Sequence, residues 1–141
     1  MSTTFSDFNR NLIKDLRANG GRATSGPFMG RDVLILTTRG KRSGETRENP
    51  LAFSRKGDDL VVIASKGGAP TNPAWYHNLR ENSRVTVEVL GEKFDAEASP
   101  VDDEDEYETL YAAHAAKMPA FNEYRTKTSR RIPVVILKRV S

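Results

Sequence analysis

Apolar residues recur at intervals of three and four at the start of the chain, at Phe5, Phe8, Leu12, Ile13 and Leu16. This spacing predicts a helix within residues 1–20, with Ser2, Thr3 or Thr4 as its cap and Gly20-Gly21 as its stop. The pattern then changes. "GRATSGPFMGRD" (21–32) is interrupted by glycine and proline and predicts a loop, whereas "VLILTT" (33–38) is an unbroken apolar and β-branched run, as in a buried strand. "RGKRSG" turns the chain into "RENPLAFSR" (47–55), and "KGDD" turns it again into "LVVIAS" (60–65). These three strands are expected to form a meander. Pro50 has no N–H for a ladder, so it marks an edge, a bulge or a position beside a ligand.

"KGGAPTN" (66–72) leaves the sheet as an irregular loop. Asn72 as N-cap and Pro73 at the first helical position predict a short helix over "PAWYHNLREN". "RVTVEVL" (84–90) and "FDAEASPV" (94–101) alternate as half-buried strands around a "GEK" turn. The acidic run that follows suits a helix N-terminus, where the macrodipole stabilises negative charge. Tyr107, Leu110, Tyr111 and His114 share that helix's inner face. A second short helical segment begins at "MPAFNEYR", and "IPVVILKRV" (132–140) is a final strand. Six short strands with tight turns, helices at the ends and one inserted midway predict a mainly β protein with peripheral helices, a small antiparallel barrel in one domain. The strands do not alternate with helices and no glycine fingerprint follows the first, which argues against a Rossmann site.

Composition narrows the chemistry. The 141 residues include no cysteine, which removes disulfides, thiolate metal sites and thiol nucleophiles. His77 and His114 are far apart with no companion at ligand spacing, so no metal site is expected. The net charge is +3, but "VDDEDEYE" (101–108) holds six of the 19 acids, leaving 13 to face all 22 cations. A basic remainder of this kind suits an anionic partner. No apolar run approaches the roughly 18 residues of a membrane span, and the N-terminus lacks the apolar core of a secretory signal, so a cytoplasmic protein is expected. Arg10, Lys14 and Arg17 leave open a peripheral contact between the first helix and a membrane surface. Nucleic acid is a poor fit, because neither a cation-rich recognition helix nor an aromatic-laced strand pair is present.

The cations are unevenly placed. Arg39, Lys41, Arg42 and Arg47 fall within nine residues, against the single acid Glu45. If the first three strands are neighbours, Arg47 and Lys66 approach the same end as the 39–44 turn. Ser65 adds a hydroxyl, and Gly67-Gly68 lets backbone N–H groups face a ligand without an intervening Cβ. Arginine contributes bidentate recognition of phosphate or carboxylate. Together these describe a site for a small, highly anionic molecule; a solvated hairpin with a basic tip is the simpler alternative. Trp75, on the short helix beside this loop, is either a core plug or a wall for a flat conjugated ring, and Asn78 is placed to reach a polar edge.

"LTTRGKRSGETRENPLAF", "VVIASKGGAPTNPAWYHNL" and "YRTKTSRRIPVVIL" resemble the deazaflavin-dependent nitroreductase family, over about residues 33–140. The resemblance implies a split β-barrel of the FMN-binding type and reduced coenzyme F420 as hydride donor, with quinones among the acceptors. The chain is expected to comprise an N-terminal amphipathic helix (1–20) and a cofactor-binding barrel (21–141). The resemblance implies that Lys41, Arg42, Ser43 and Arg47 contact the phosphate and oligoglutamate tail, and that Asn49 and Pro50 lie near the ring. Ile63, Ala64, Ser65 and Lys66 match the strand-end contact, and Ala74, Trp75, Tyr76 and Asn78 the helix beside it. Tyr124, or else Ser65, is the candidate proton donor or acceptor-orienting group. Met118 and Phe121 stand where nitro-reducing relatives carry more tyrosines, so Met118, Phe121 and Tyr124 imply an apolar acceptor pocket for a quinone-like or other lipophilic molecule. FMN is the alternative cofactor, although its lack of a polyglutamate tail leaves part of the cationic cluster unexplained. A non-catalytic carrier of a cofactor or lipid is the alternative function.

Overall fold

The computed structural model describes residues 5–26, 28–40 and 44–140. The expected caps Ser2, Thr3 and Thr4 and the expected ligands Lys41, Arg42 and Ser43 lie outside these residues. The first helix, α1, spans Phe5–Ala18. The strands are β1 (Val33–Arg39), β2 (Thr46–Ala52), β3 (Ser54–Lys56), β4 (Asp59–Ile63), β5 (Arg84–Val89), β6 (Glu92–Pro100) and β7 (Val134–Arg139). Helix α2 (Ala74–Glu81) precedes β5, while α3 (Glu104–Lys117) and α4 (Ala120–Lys127) connect β6 to β7. The strands form one antiparallel sheet in the order β2-β1-β5-β6-β7-β4-β3. Because β2 and β3 are separated only by Phe53, the two edges of the sheet are tied together by the chain itself, and the sheet curls into a split barrel.

Two expectations are corrected. The segment 47–55 is two strands, and β4 pairs with β3 and β7 rather than completing a meander beside β1 and β2. At Phe53 the backbone leaves the ladder, its N–H bonding the Asp32 carbonyl (3.1 Å), and the ring enters the central core. Helix α2 is also capped one residue later than expected, by extended Pro73. Asn72 instead offers its side-chain oxygen to Arg130.

The unbroken apolar runs have a direct cause: their strands are covered on both faces. From β1, Leu34 and Leu36 face the barrel core while Val33 and Ile35 face α1. From β4, Leu60 and Val62 face the core while Val61 and Ile63 meet the α3–α4 layer. By contrast, β5 alternates buried and half-exposed residues as its sequence alternates. Leu12, Ile13 and Leu16 of α1 are buried against Val33 and Ile35, so this apolar side is not available to a membrane surface. Arg17 fixes the helix further, with a bidentate bond to Glu88 (3.0 and 2.7 Å) and a contact to Glu48. No helix among the described residues is long and apolar enough to cross a membrane.

Candidate active site

Strand register determines which chain segments meet. Thr37 lies opposite Thr86, Arg84 opposite Glu97, Pro100 opposite Val135 and Val134 opposite Ile63. The end of β1, the start of β2 and the end of β4 therefore share one rim of the barrel, although β4 neighbours neither β1 nor β2. Arg47 and the Ser65-Lys66 segment emerge at this rim. So do residues 39–40 and 44–46, joined by hydrogen bonds from the Gly40 N–H to the Glu45 carbonyl (2.6 Å) and from the Gly44 N–H to the Gly40 carbonyl (3.1 Å). Arg47 is exposed and meets Glu45 at 3.3 Å, a pairing that water weakens and a better anion can displace.

The loop after β4 is tightly wound. Lys66, Gly67 and Gly68 take successive φ angles of 47°, 64° and 83°. Glycine adopts these freely, but Lys66 does so at a cost on the order of 1 kcal/mol. Its ammonium reaches Thr71 Oγ1 at 3.3 Å. Helix α4 lies directly on this loop: a Cβ at Gly68 would stand 2.9 Å from Lys127 Cβ and 3.1 Å from the Tyr124 carbonyl oxygen. Ser65 is buried beside it, and its hydroxyl has no protein hydrogen-bond partner among the described residues. Ile63 and Ala64 are also buried, while Asn49 is half-exposed and Pro50 is buried on the edge strand β2.

Helix α2 closes the rim. Trp75, Tyr76 and Leu79 enter the barrel core, and buried Asn78 donates to buried Thr38 Oγ1 (3.2 Å) at the end of β1. The indole thus serves as a core plug and the Asn78 amide as a tie to β1. The side of α2 that faces outward carries Ala74 and His77.

The α3–α4 layer has its own core. Tyr107 donates to the Ile132 carbonyl and Tyr111 to the Phe121 carbonyl, both at 2.7 Å. Burial raises the pKa of both phenols, that of Tyr111 to about 12, so each remains a protonated structural donor. Phe121 is buried, edge-on between His114 (4.4 Å) and Tyr124 (5.1 Å). Met118 and Tyr124 are half-buried at the margin of this cluster. Like Ser65, Tyr124 has a hydroxyl without a protein partner among the described residues. His114 Nδ1 lies 2.9 Å from Ser54 Oγ, and burial lowers the imidazole pKa to about 4. Both residues are enclosed, so this pair is a neutral core contact rather than a nucleophile and its base.

Two clefts lie away from these residues. One of about 140 Å³ runs between the end of α1 and β1–β5, beside Arg17, Ile35 and Glu88. The other, about 380 Å³, opens at the opposite barrel end among Arg55, Leu60, Phe94 and Arg139. Neither gathers an unpartnered hydroxyl, a glycine loop and an exposed arginine, as the first rim does with Ser65, Gly67-Gly68 and Arg47. Sequence reading missed Arg130, which binds the loop from beneath; it stands in a polar stretch with no periodicity to single it out.

A family model described as F420H2-dependent quinone reductase matches residues 8–139. An F420H2-dependent quinone reductase of Mycobacterium tuberculosis is 38% identical over 108 residues, covering 75% of this chain and 72% of that protein. A solved F420-H2-dependent reductase superposes with a TM-score of 0.70 at 34% identity, covering 77% of this chain and 95% of the other. A second structure, described as a domain-swapped dimer, superposes with a TM-score of 0.71 at 29% identity over 92% of this chain and 93% of its own. The split barrel is the fold this chain shares with these structures, and the chain belongs to the F420H2-dependent quinone reductase family.

Proposed function

We propose that the rim formed by the 39–46 turn, the Ser65–Gly68 loop and α4 binds coenzyme F420, and that the protein uses it to reduce a lipophilic acceptor such as a quinone. The observation that carries this reading is the seating of α4 on the glycine loop, which places the segment bearing Tyr124 over Ser65–Gly68 at the cationic rim. The site fits the cofactor's chemistry: a Ser65 hydroxyl without a protein partner among the described residues, a glycine loop with open space at Gly67, and the exposed cations Arg47 and Lys66 for a polyanionic tail. When bound, reduced F420 supplies a hydride from its deazaflavin ring.

The protein's share is binding, orientation and proton supply. Arg47, together with Lys41, Arg42 and Ser43, holds the phosphate and tail. Lys66 adds charge, and the loop's backbone N–H groups add donors. Asn49 and Pro50 lie near the ring. From β4 and α2, Ile63 and Ala64 shape the floor and Ala74 offers its outward side, while Trp75, Tyr76 and Asn78 act through the core they fill. Met118, Phe121 and Tyr124 form the acceptor side, whose apolar character favours a quinone over a nitro compound. Tyr124, with Ser65 as the alternative, donates the proton that the reduced acceptor needs.

Fluorescence titration with oxidised F420 and, in parallel, FMN tests the cofactor. Binding of F420 alone, weakened about tenfold by Arg47→Glu, is the expected result. Binding of FMN alone would overturn the reading, and F420 binding without turnover of any quinone would favour a carrier. With F420H2 and a quinone, Tyr124→Phe is expected to lower kcat at least about tenfold; unchanged turnover would remove Tyr124 as the donor.

A further inference from the structure

Arg130 lies between α4 and β7, outside every segment to which a role has been given. Its guanidinium makes four hydrogen bonds to the loop that begins at Ala64. Nε donates to the Ala69 carbonyl (2.8 Å), Nη2 to the Ser65 carbonyl (2.8 Å), and Nη1 to the Ala64 carbonyl (3.3 Å) and to Asn72 Oδ1 (2.7 Å). All four acceptors are neutral, and among the described residues no carboxylate pairs with this half-buried cation. Among these residues its charge is left uncompensated. Arginine's planar fork suits this task in a way that lysine cannot match, since several fixed donors must reach acceptors on both sides of the loop at once.

The loop needs such a tie. It contains three successive left-handed residues, one of them Lys66, and only two internal backbone bonds: from the Gly68 N–H to the Ser65 carbonyl (2.9 Å) and from the Ala69 N–H to the Lys66 carbonyl (3.1 Å). We infer that Arg130 is a positioning residue for the cofactor site: it clamps the strained 64–72 loop in its binding shape and places an unneutralised positive charge behind it, directed at an anionic ligand. The inference rests on the F420 reading of this rim. It also explains how the acceptor side and the cofactor side hold a common geometry, because Arg130 belongs to the chain that leaves α4 and grips the chain that leaves β4.

The test compares wild type with Arg130→Met, Arg130→Lys and Asn72→Ala, the last removing one acceptor in case Arg130→Met does not fold. Amide hydrogen exchange without cofactor is expected to quicken at least about tenfold within 64–72 in Arg130→Met, and less in Asn72→Ala, while β1 and β5 amides keep their rates. The dissociation constant for oxidised F420 and the KM for F420H2 are expected to rise about tenfold or more in Arg130→Met, with kcat within about twofold of wild type. Arg130→Lys, which restores the charge without the fork, is expected to recover part of the affinity and little of the protection. Unchanged loop exchange in the folded variants would overturn the clamp. Faster exchange with unchanged F420 affinity would overturn the link to the site. Wild-type protein that binds no F420 would overturn the cofactor reading, with the exchange data still reporting the clamp separately.

Discussion

His114 shows how one buried side chain makes stability depend on pH. It is 1% exposed, bonded to Ser54, and held at a pKa of about 4 by burial, against an ordinary value of 6.5. The unfolded chain therefore binds a proton that the folded protein refuses, and the associated stability is complete above pH 6.5 and lost as pH falls through about 4. Between pH 7.5 and pH 5 the loss from this residue is about 2 kcal/mol. His114→Gln is neutral throughout this range and should flatten that part of the profile, as read by urea unfolding at the two pH values. An equal slope in both proteins would assign the acid sensitivity to other groups. The acidic run itself was legible from residue types alone: Asp103 caps α3, accepting from the Glu106 N–H at 2.8 Å, and Tyr107, Leu110, Tyr111 and His114 are all buried, as their spacing predicts.

At the level of elements, the contact between α4 and the glycine loop tolerates no added atom. Gly68 has a φ of 83°, which disfavours any side chain, and a Cβ there meets the Lys127 side chain and the Tyr124 carbonyl. Gly68→Ala is expected to cost about 1–3 kcal/mol and to move α4 off the loop. Its effect on F420 affinity should exceed that of Gly67→Ala, since a Cβ at Gly67 meets nothing within 4 Å. Equal affinities for the two variants would mean that the α4 contact does not shape the site. Helix α1 illustrates a different point. Its amphipathic pattern fits a membrane surface and a protein core equally well, and only the apolar outer face of β1, which α1 buries, shows which of the two it covers.

For the whole molecule, Phe53 is the junction through which the two edges of the sheet are joined. It is 3% exposed, lies between β2 and β3, and packs in the core that both barrel halves share. Phe53→Ala is expected to cost about 3–5 kcal/mol. Because the junction serves both edges, β2 and β3 should lose exchange protection together rather than one at a time. Protection retained in β2 with loss confined to β3 would show that the edges are stabilised independently.

Most of the elements followed from sequence alone, as did the expectation of an anionic ligand. Periodicity reports which faces of a helix or strand are apolar, and a basic turn near a glycine loop implies an anion wherever the two lie in space. Pairing was not accessible in the same way. "RENPLAFSR" alternates like one strand, but its first part pairs with β1 and its last with β4, a division set by closure of the barrel and by burial of Phe53. Likewise, Trp75 carries the same apolar and aromatic character as a ring wall or as a core plug, and the rim it covers decided for the core. Arg130 was invisible in sequence because its partners are backbone carbonyls some 60 residues away. Every residue presents such carbonyls, and only the tertiary fold brings three of them to one guanidinium.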